Sequence, residues 1–132
     1  MSIKKQNLTF NALIEQTSPP APAGQFTAVQ PKYWVDENGT THLTGSHDSR
    51  AITFKIPPEV EDGTHEIGTG KNVVVEVEYF ALKLNVKGGQ ITLKRNPAER
   101  ALTATFNFSA SDDVFDFEYK NGNIFLERTE NQ

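Results

Sequence analysis

The sequence predicts an all-β domain, an antiparallel β-sandwich of about eight to ten short strands, with a partly open β-barrel as the alternative. Three observations carry this. Between Ala101 and Ala110, the residues Leu102, Ala104, Phe106, Phe108 and Ala110 alternate with Thr103, Thr105, Asn107 and Ser109, the period of a strand with one buried face. Other segments keep the same period and are punctuated by Gly, Pro and Asn-Gly steps at hairpin spacing. A chain of 132 residues is also long enough to bury about two-thirds of its unfolded surface in one core without a disulfide or metal staple.

In chain order, Leu8, Phe10, Ala12 and Ile14 alternate with Thr9 and Asn11 and predict a first strand, a short amphipathic helix being the alternative. The stretch TSPPAPAG, residues 17–24, contains three prolines and reads as a linker. The expected organisation is therefore an N-terminal strand or arm with its Pro-rich linker over residues 1–24 and a β-sandwich domain over residues 25–132. Gln25 to Gln30 forms a short strand ended by Pro31, and Tyr33 to Val35 leads into Asp36-Glu37-Asn38-Gly39. A two-residue type I′ turn at Asn38-Gly39 places Trp34 opposite Leu43 and Val35 opposite His42. Ile52, Phe54 and Ile56 make an inward row stopped by Pro57-Pro58, and Thr64 to Ile67 is a brief edge strand.

From Lys71 to Val86 no turn residue intervenes, yet the apolar parity changes. Val73, Val75, Val77 and Tyr79 are odd, whereas Phe80, Leu82, Leu84 and Val86 are even, which predicts a β-bulge or sharp bend at Tyr79-Phe80. Gly88-Gly89 reads as a tight turn that sets Lys83 across from Lys94, and Asn96 to Glu99 as a longer turn. Ser111-Asp112-Asp113 closes the alternating strand. Asn121-Gly122 is then the turn of a last hairpin, pairing Tyr119 with Ile124 and turning Phe125 outward opposite Glu118.

Composition excludes more chemistry than it suggests. Without cysteine, thiol catalysis, iron–sulfur clusters and cysteine-ligated zinc are ruled out. With 13 basic against 17 acidic residues, the formal charge of −4 opposes strong binding to a phosphate backbone, so no nucleic-acid partner is expected. No run approaches the roughly 20 apolar residues of a membrane helix, and no membrane association is expected. Asn7, Thr9 and Asn11 interrupt the N-terminal apolar run, so it reads as mature chain and the protein as cytoplasmic by default.

Candidate functional residues are few. His42, His47 and Asp48, followed by His65-Glu66, match no recurrent zinc spacing, and Asp112, Asp113, Asp116 and Glu118 lack a calcium-loop pattern; neither metal nor cofactor is expected. Ser46-His47-Asp48 are consecutive and cannot take triad geometry, so no catalytic residue is assigned. The expected ligand-binding set is Tyr33, Trp34, His42, Phe125, Lys83 and Lys94. Tyr33, Trp34 and His42 would form a stacking platform for a sugar or flat ligand, against the competing reading that the only tryptophan fills the core. Phe125 would mark a contact surface. Lys83 facing Lys94 would call for anionic neighbours, a bound anion or solvent.

The order ITFKIP, GTHEIG, GGQITLKR, TATFNFSA and YKNGNIF, from about Thr40 to Leu126, resembles a loose family of small bacterial β-proteins of unknown function, many of them lipoproteins. The resemblance implies the strand order and supplies no catalytic residue. The chain departs from it in lacking a lipoprotein signal and cysteine, in Leu102-Thr103-Ala104 where glycine is the pattern, and in Ile124 at an aromatic position. The expected function is a non-catalytic binding or protein-interaction module for a protein or small-molecule ligand. The alternative is a small hydrolase with a carboxylate or histidine site in a sandwich cleft. Homo-oligomerisation is expected as a way to cover strand edges.

Overall fold

Ten antiparallel strands and no helix make up the computed structural model, which describes residues 3–68, 71–96 and 101–131. They are β1 (Ile3–Ser18), β2 (Gly24–Thr27), β3 (Val29–Val35), β4 (Thr41–His47), β5 (Arg50–Ile56), β6 (Gly63–Ile67), β7 (Val74–Tyr79), β8 (Leu82–Asn96), β9 (Ala101–Ser111) and β10 (Asp116–Asn131). One sheet runs in the order β2-β1-β10-β9-β8-β7-β5-β4-β3, with β6 pairing β8 beside this path. The all-β antiparallel fold is as expected, and its nearly closed, barrel-like shape is close to the barrel alternative rather than to two stacked sheets.

Closure rests on one segment. β2 and β3 are the two halves of a strand interrupted at Ala28: β2 pairs β1 from Asn11↔Thr27 to Ile14↔Gly24, and β3 pairs β4. The Ala28 N–H continues the first ladder by donating to the Phe10 carbonyl at 2.9 Å. The change of partner falls where Gln30 has φ 50°, Pro31 lacks an N–H, and the β3–β4 register slips between Val29 and Lys32.

The inward faces fill the barrel. Leu102, Ala104, Phe106, Phe108 and Ala110 of β9 are all buried, as their alternation predicts. Phe106 packs edge-on against Phe54 at 4.8 Å and Phe10 at 5.8 Å. β1, the segment before the proline-rich stretch, pairs β10 on one side and β2 on the other, and contributes Phe10, Ala12 and Ile14 to this core. β6 is the expected brief strand, pairing β8 along its length, with one isolated bridge from Ile67 to Val73.

The Gly88-Gly89 and Asn121-Gly122 steps read as hairpin turns lie inside long strands. Gly88-Gly89 lies within β8, whose fifteen residues pair β7, then β6, and β9 along most of their length. A Cβ at Gly89 would sit 2.2 Å from the Asn107 carbonyl oxygen and 2.5 Å from Phe108 Cα, so glycine here permits close approach of β9. Asn121-Gly122 likewise lies within β10. Its register against β9 slips between Tyr119 and Gly122, Asn121 has φ 50°, and a Cβ at Gly122 would come within 2.4 Å of the Phe106 ring. This is a β-bulge, not a reversal. Tyr119 therefore faces Ile14 and Phe108, and Ile124 faces Phe10 and Ala104, rather than each other.

A full reversal occurs where a β-bulge or sharp bend was expected. Phe80 and Ala81, at φ 48° and 69°, form a two-residue turn that sets Tyr79 opposite Leu82. Such a turn switches apolar parity as a bulge does, and without Asn or Gly it leaves no other trace in the sequence. Asp48-Ser49, at φ 52° and 64°, joins β4 to β5 in the same way, and the Phe80 N–H donates to the Ser49 carbonyl at 2.8 Å. The turn expected over Asn96 to Glu99 lies mostly outside the described residues.

Gly89→Ala is expected to cost about 3 kcal/mol in chemical denaturation because backbone blocks its Cβ, whereas Gly88→Ala, with open space around it, should stay within about 0.5 kcal/mol of the parent. Ala81→Gly should stabilise the protein by about 0.5–1 kcal/mol, since relief of left-handed strain outweighs the added freedom of the unfolded chain.

Candidate functional site

Asp36 organises the turn between β3 and β4. Its Oδ1 accepts the Asn38 N–H at 2.9 Å and the Thr40 N–H at 3.0 Å. The Gly39 N–H donates to the Asp36 carbonyl and the Asp36 N–H to the Thr40 carbonyl, both at 3.0 Å, with Gly39 at φ 84°. This is a three-residue loop with a left-handed glycine, not the two-residue turn expected. The register moves by one: Tyr33 faces Leu43, and Trp34 faces His42. Because strand side chains alternate with a period of two, that single step exchanges the faces of Tyr33 and Trp34. Tyr33 packs against the core, while Trp34 is 43% exposed, which corrects both the shared face of Trp34 with Leu43 and the core-tryptophan reading.

On the outer face, the Trp34 and His42 rings stack at 4.7 Å between centroids with 5° between planes. His42 Nε2 lies 2.9 Å from Asp36 Oδ2, so the carboxylate that shapes the turn also orients the imidazole. The hydrogen bond from His42, aided by the Thr40 and Asn38 N–H groups, holds the Asp36 carboxyl below the ordinary carboxylate range against its own desolvation. Lys55 is opposite His42 on β5 and pairs with Glu76 on β7. Thr44 and Thr53 share a 2.8 Å hydroxyl contact on the same sheet.

The six expected binding residues fall into separate groups. Trp34 and His42 touch. Lys83 lies opposite Glu78 near the far side of this sheet, and after the Lys55 hydrogen bond its charge also helps to keep Glu76 ionised. Lys83 and Lys94 do not face each other: they lie eleven residues apart on β8, about 36 Å of extended strand. Lys94 is opposite Thr103, whose other neighbour across β9 and β10 is Phe125. Phe125 is 41% exposed, as expected for an outward residue, but it sits between Thr9 and Thr103 rather than opposite Glu118.

Asp36 and Lys55 escaped the sequence reading. Asp at the first position and Gly at the fourth of Asp36-Glu37-Asn38-Gly39 is the signature of a type I turn, and would have set the register correctly. Among the acids considered for calcium, Asp112 is a turn cap that accepts the Val114 N–H at 2.8 Å and the Phe115 N–H at 2.6 Å. Ser46, His47 and Asp48 line a shallow cleft of about 600 Å³, with no side-chain hydrogen bond joining them.

Fold and site together define a small antiparallel, barrel-like β-domain carrying an oriented aromatic pair on its outer wall. The chain belongs to the family described as a domain of unknown function, DUF6252, whose profile matches residues 23–126 and so spans the whole Trp34–His42 site. No curated protein and no solved structure matches it. No helix among the described residues is long and apolar enough to cross a membrane.

Because the folded-state pKa of Asp36 lies below the ordinary value of 3.8, its contribution to stability is present above that pH and is lost as pH falls through the folded value. The stability difference between the parent and Asp36→Asn, measured by urea denaturation across pH, should therefore be full at neutral pH and shrink only below pH 3.8.

Proposed function

We propose that this domain is a non-catalytic binding module whose ligand platform is Trp34 backed by His42, taking the face of a sugar or another flat ring. The observation that carries this reading is an indole 43% exposed yet stacked at 4.7 Å on a histidine that Asp36 holds in place. An aromatic fixed before binding loses little freedom on binding, and tryptophan offers a large rigid surface for stacking. Lys55 and Glu76, nearby on the outer face, supply polar groups for the substituents of such a ring. The likeness to small bacterial β-proteins supports a bacterial setting for the module.

Trp34 is the only tryptophan, so intrinsic emission reports on the platform directly. Titration of the full chain with a panel of neutral oligosaccharides and with adenosine should give a saturable emission change for at least one of them. Calorimetry should then find that Trp34→Ala weakens that ligand by about 5- to 100-fold, the range of a lost stacking contact. No response across the panel, or unchanged affinity in Trp34→Ala, would sink the proposal.

A further inference from the structure

Arg50 opens β5 on the same parity as Ile52, Phe54 and Ile56, which all face the barrel interior. Its guanidinium carbon lies 5.7 Å from the ring centroid of the fully buried Phe26. Arg50 Nε is buried without a hydrogen-bond partner, and no ion pair among the described residues involves this side chain. Among the described residues, the other buried side-chain atom without a partner is the hydroxyl of Tyr119, a residue only 1% exposed. The two lie at one end of the barrel: Arg50 is directly opposite Tyr79 on β7, the Tyr79 ring lies 4.5 Å from that of Phe117, and Phe117 and Tyr119 are both buried on the inward face of β10, where the charge of Arg50 reaches the Tyr119 hydroxyl.

Buried donors in native proteins nearly always have acceptors, and a guanidinium cannot discard its proton to escape the cost. The backbone around this end is strained as well. Among the described residues, five of the six non-glycine residues at positive φ, namely Gln30, Asp48, Ser49, Phe80 and Ala81, lie at or beside the cleft that leads to Arg50. Four of these five are the central residues of the two hairpin turns, whose geometry requires positive φ, so the turns fix the rim of the cleft rigidly.

We infer that this end of the barrel binds a small monocarboxylate, with Arg50 as its cation and Tyr119 as a second donor. A planar pair of carboxylate oxygens fits the guanidinium fork. Asp48 and Glu78 line the same cleft and repel every negative charge a ligand brings, so an anion of single charge is favoured over a dianion. The site is separate from the Trp34 platform, since His42 faces Lys55, five residues along β5 from Arg50 and of opposite parity.

The test follows the Arg50 Nε–H cross-peak by NMR in the full-length ¹⁵N-labelled chain during titration with sodium acetate and sodium benzoate, at constant ionic strength set by chloride. A saturable shift is expected with the carboxylates. Tyr119→Phe should keep the fold and weaken the interaction by about ten-fold, the loss of one hydrogen bond to a charged group. In Arg50→Gln, the response read at the Phe26 and Tyr79 amides should vanish; if that variant does not fold, the parent and Tyr119→Phe still decide. No saturable shift in the parent, or undiminished binding in Tyr119→Phe, would overturn the site. Tighter binding of inorganic phosphate than of acetate would overturn the monocarboxylate assignment.

Discussion

A strand edge left unpaired presents a row of backbone donors and acceptors, and a sheet as long as this one must pair, cover or close its edges. Here closure depends on the partner change between β2 and β3: the residues before Ala28 complete the ladder with β1, and those after Pro31 complete the ladder with β4. Once the two ends of the sheet are carried by one segment, the inward side chains have a single interior to fill. Phe10 of β1, Phe54 of β5 and Phe106 of β9 meet there although they are far apart in sequence. The N-terminal strand is thereby part of the core rather than an accessory to it.

Closure also explains the glycines. β8 and β10 run for fifteen and sixteen residues and must bend to stay on the barrel wall. Bends crowd neighbouring strands, and at Gly89 and Gly122 the available space excludes even a methyl group. Glycine thus appears where backbone approaches backbone or an aromatic ring. Meanwhile Asp48-Ser49 and Phe80-Ala81 reverse the chain in left-handed conformations without it, and the hydrogen bond between Phe80 and Ser49 ties the two turns together.

Two chemical environments result from one wall. On the outside, the Asp36 carboxylate places His42 beneath Trp34 and gives an aromatic surface a fixed orientation. Inside the far end, Arg50 and Tyr119 present donors that the chain itself does not satisfy. Both arrangements retain features that folding alone does not favour, an exposed indole and a guanidinium whose Nε is buried without an acceptor, and both sit on strands rather than mobile loops. Rigid placement is what lets either feature select a ligand by shape and charge.

Period-two alternation by itself determined the all-β class, the buried row from Leu102 to Ala110, the inward Ile52, Phe54 and Ile56, and the outward Phe125, because alternation is a local property of each strand. It also contained the Asp-x-x-Gly pattern that sets the Asp36 turn. What only the tertiary structure decided is where the chain reverses. Asn-Gly and Gly-Gly permit a turn, but they equally permit a bulge or a close crossing, and the choice belongs to the neighbouring strands that do or do not leave room for a Cβ. The site followed the same rule: a one-residue register step, decided by three hydrogen bonds to a single carboxylate, put Trp34 on the surface against His42. Arg50 Nε became a buried donor without an acceptor only because closure placed Phe26 and Tyr119 around it.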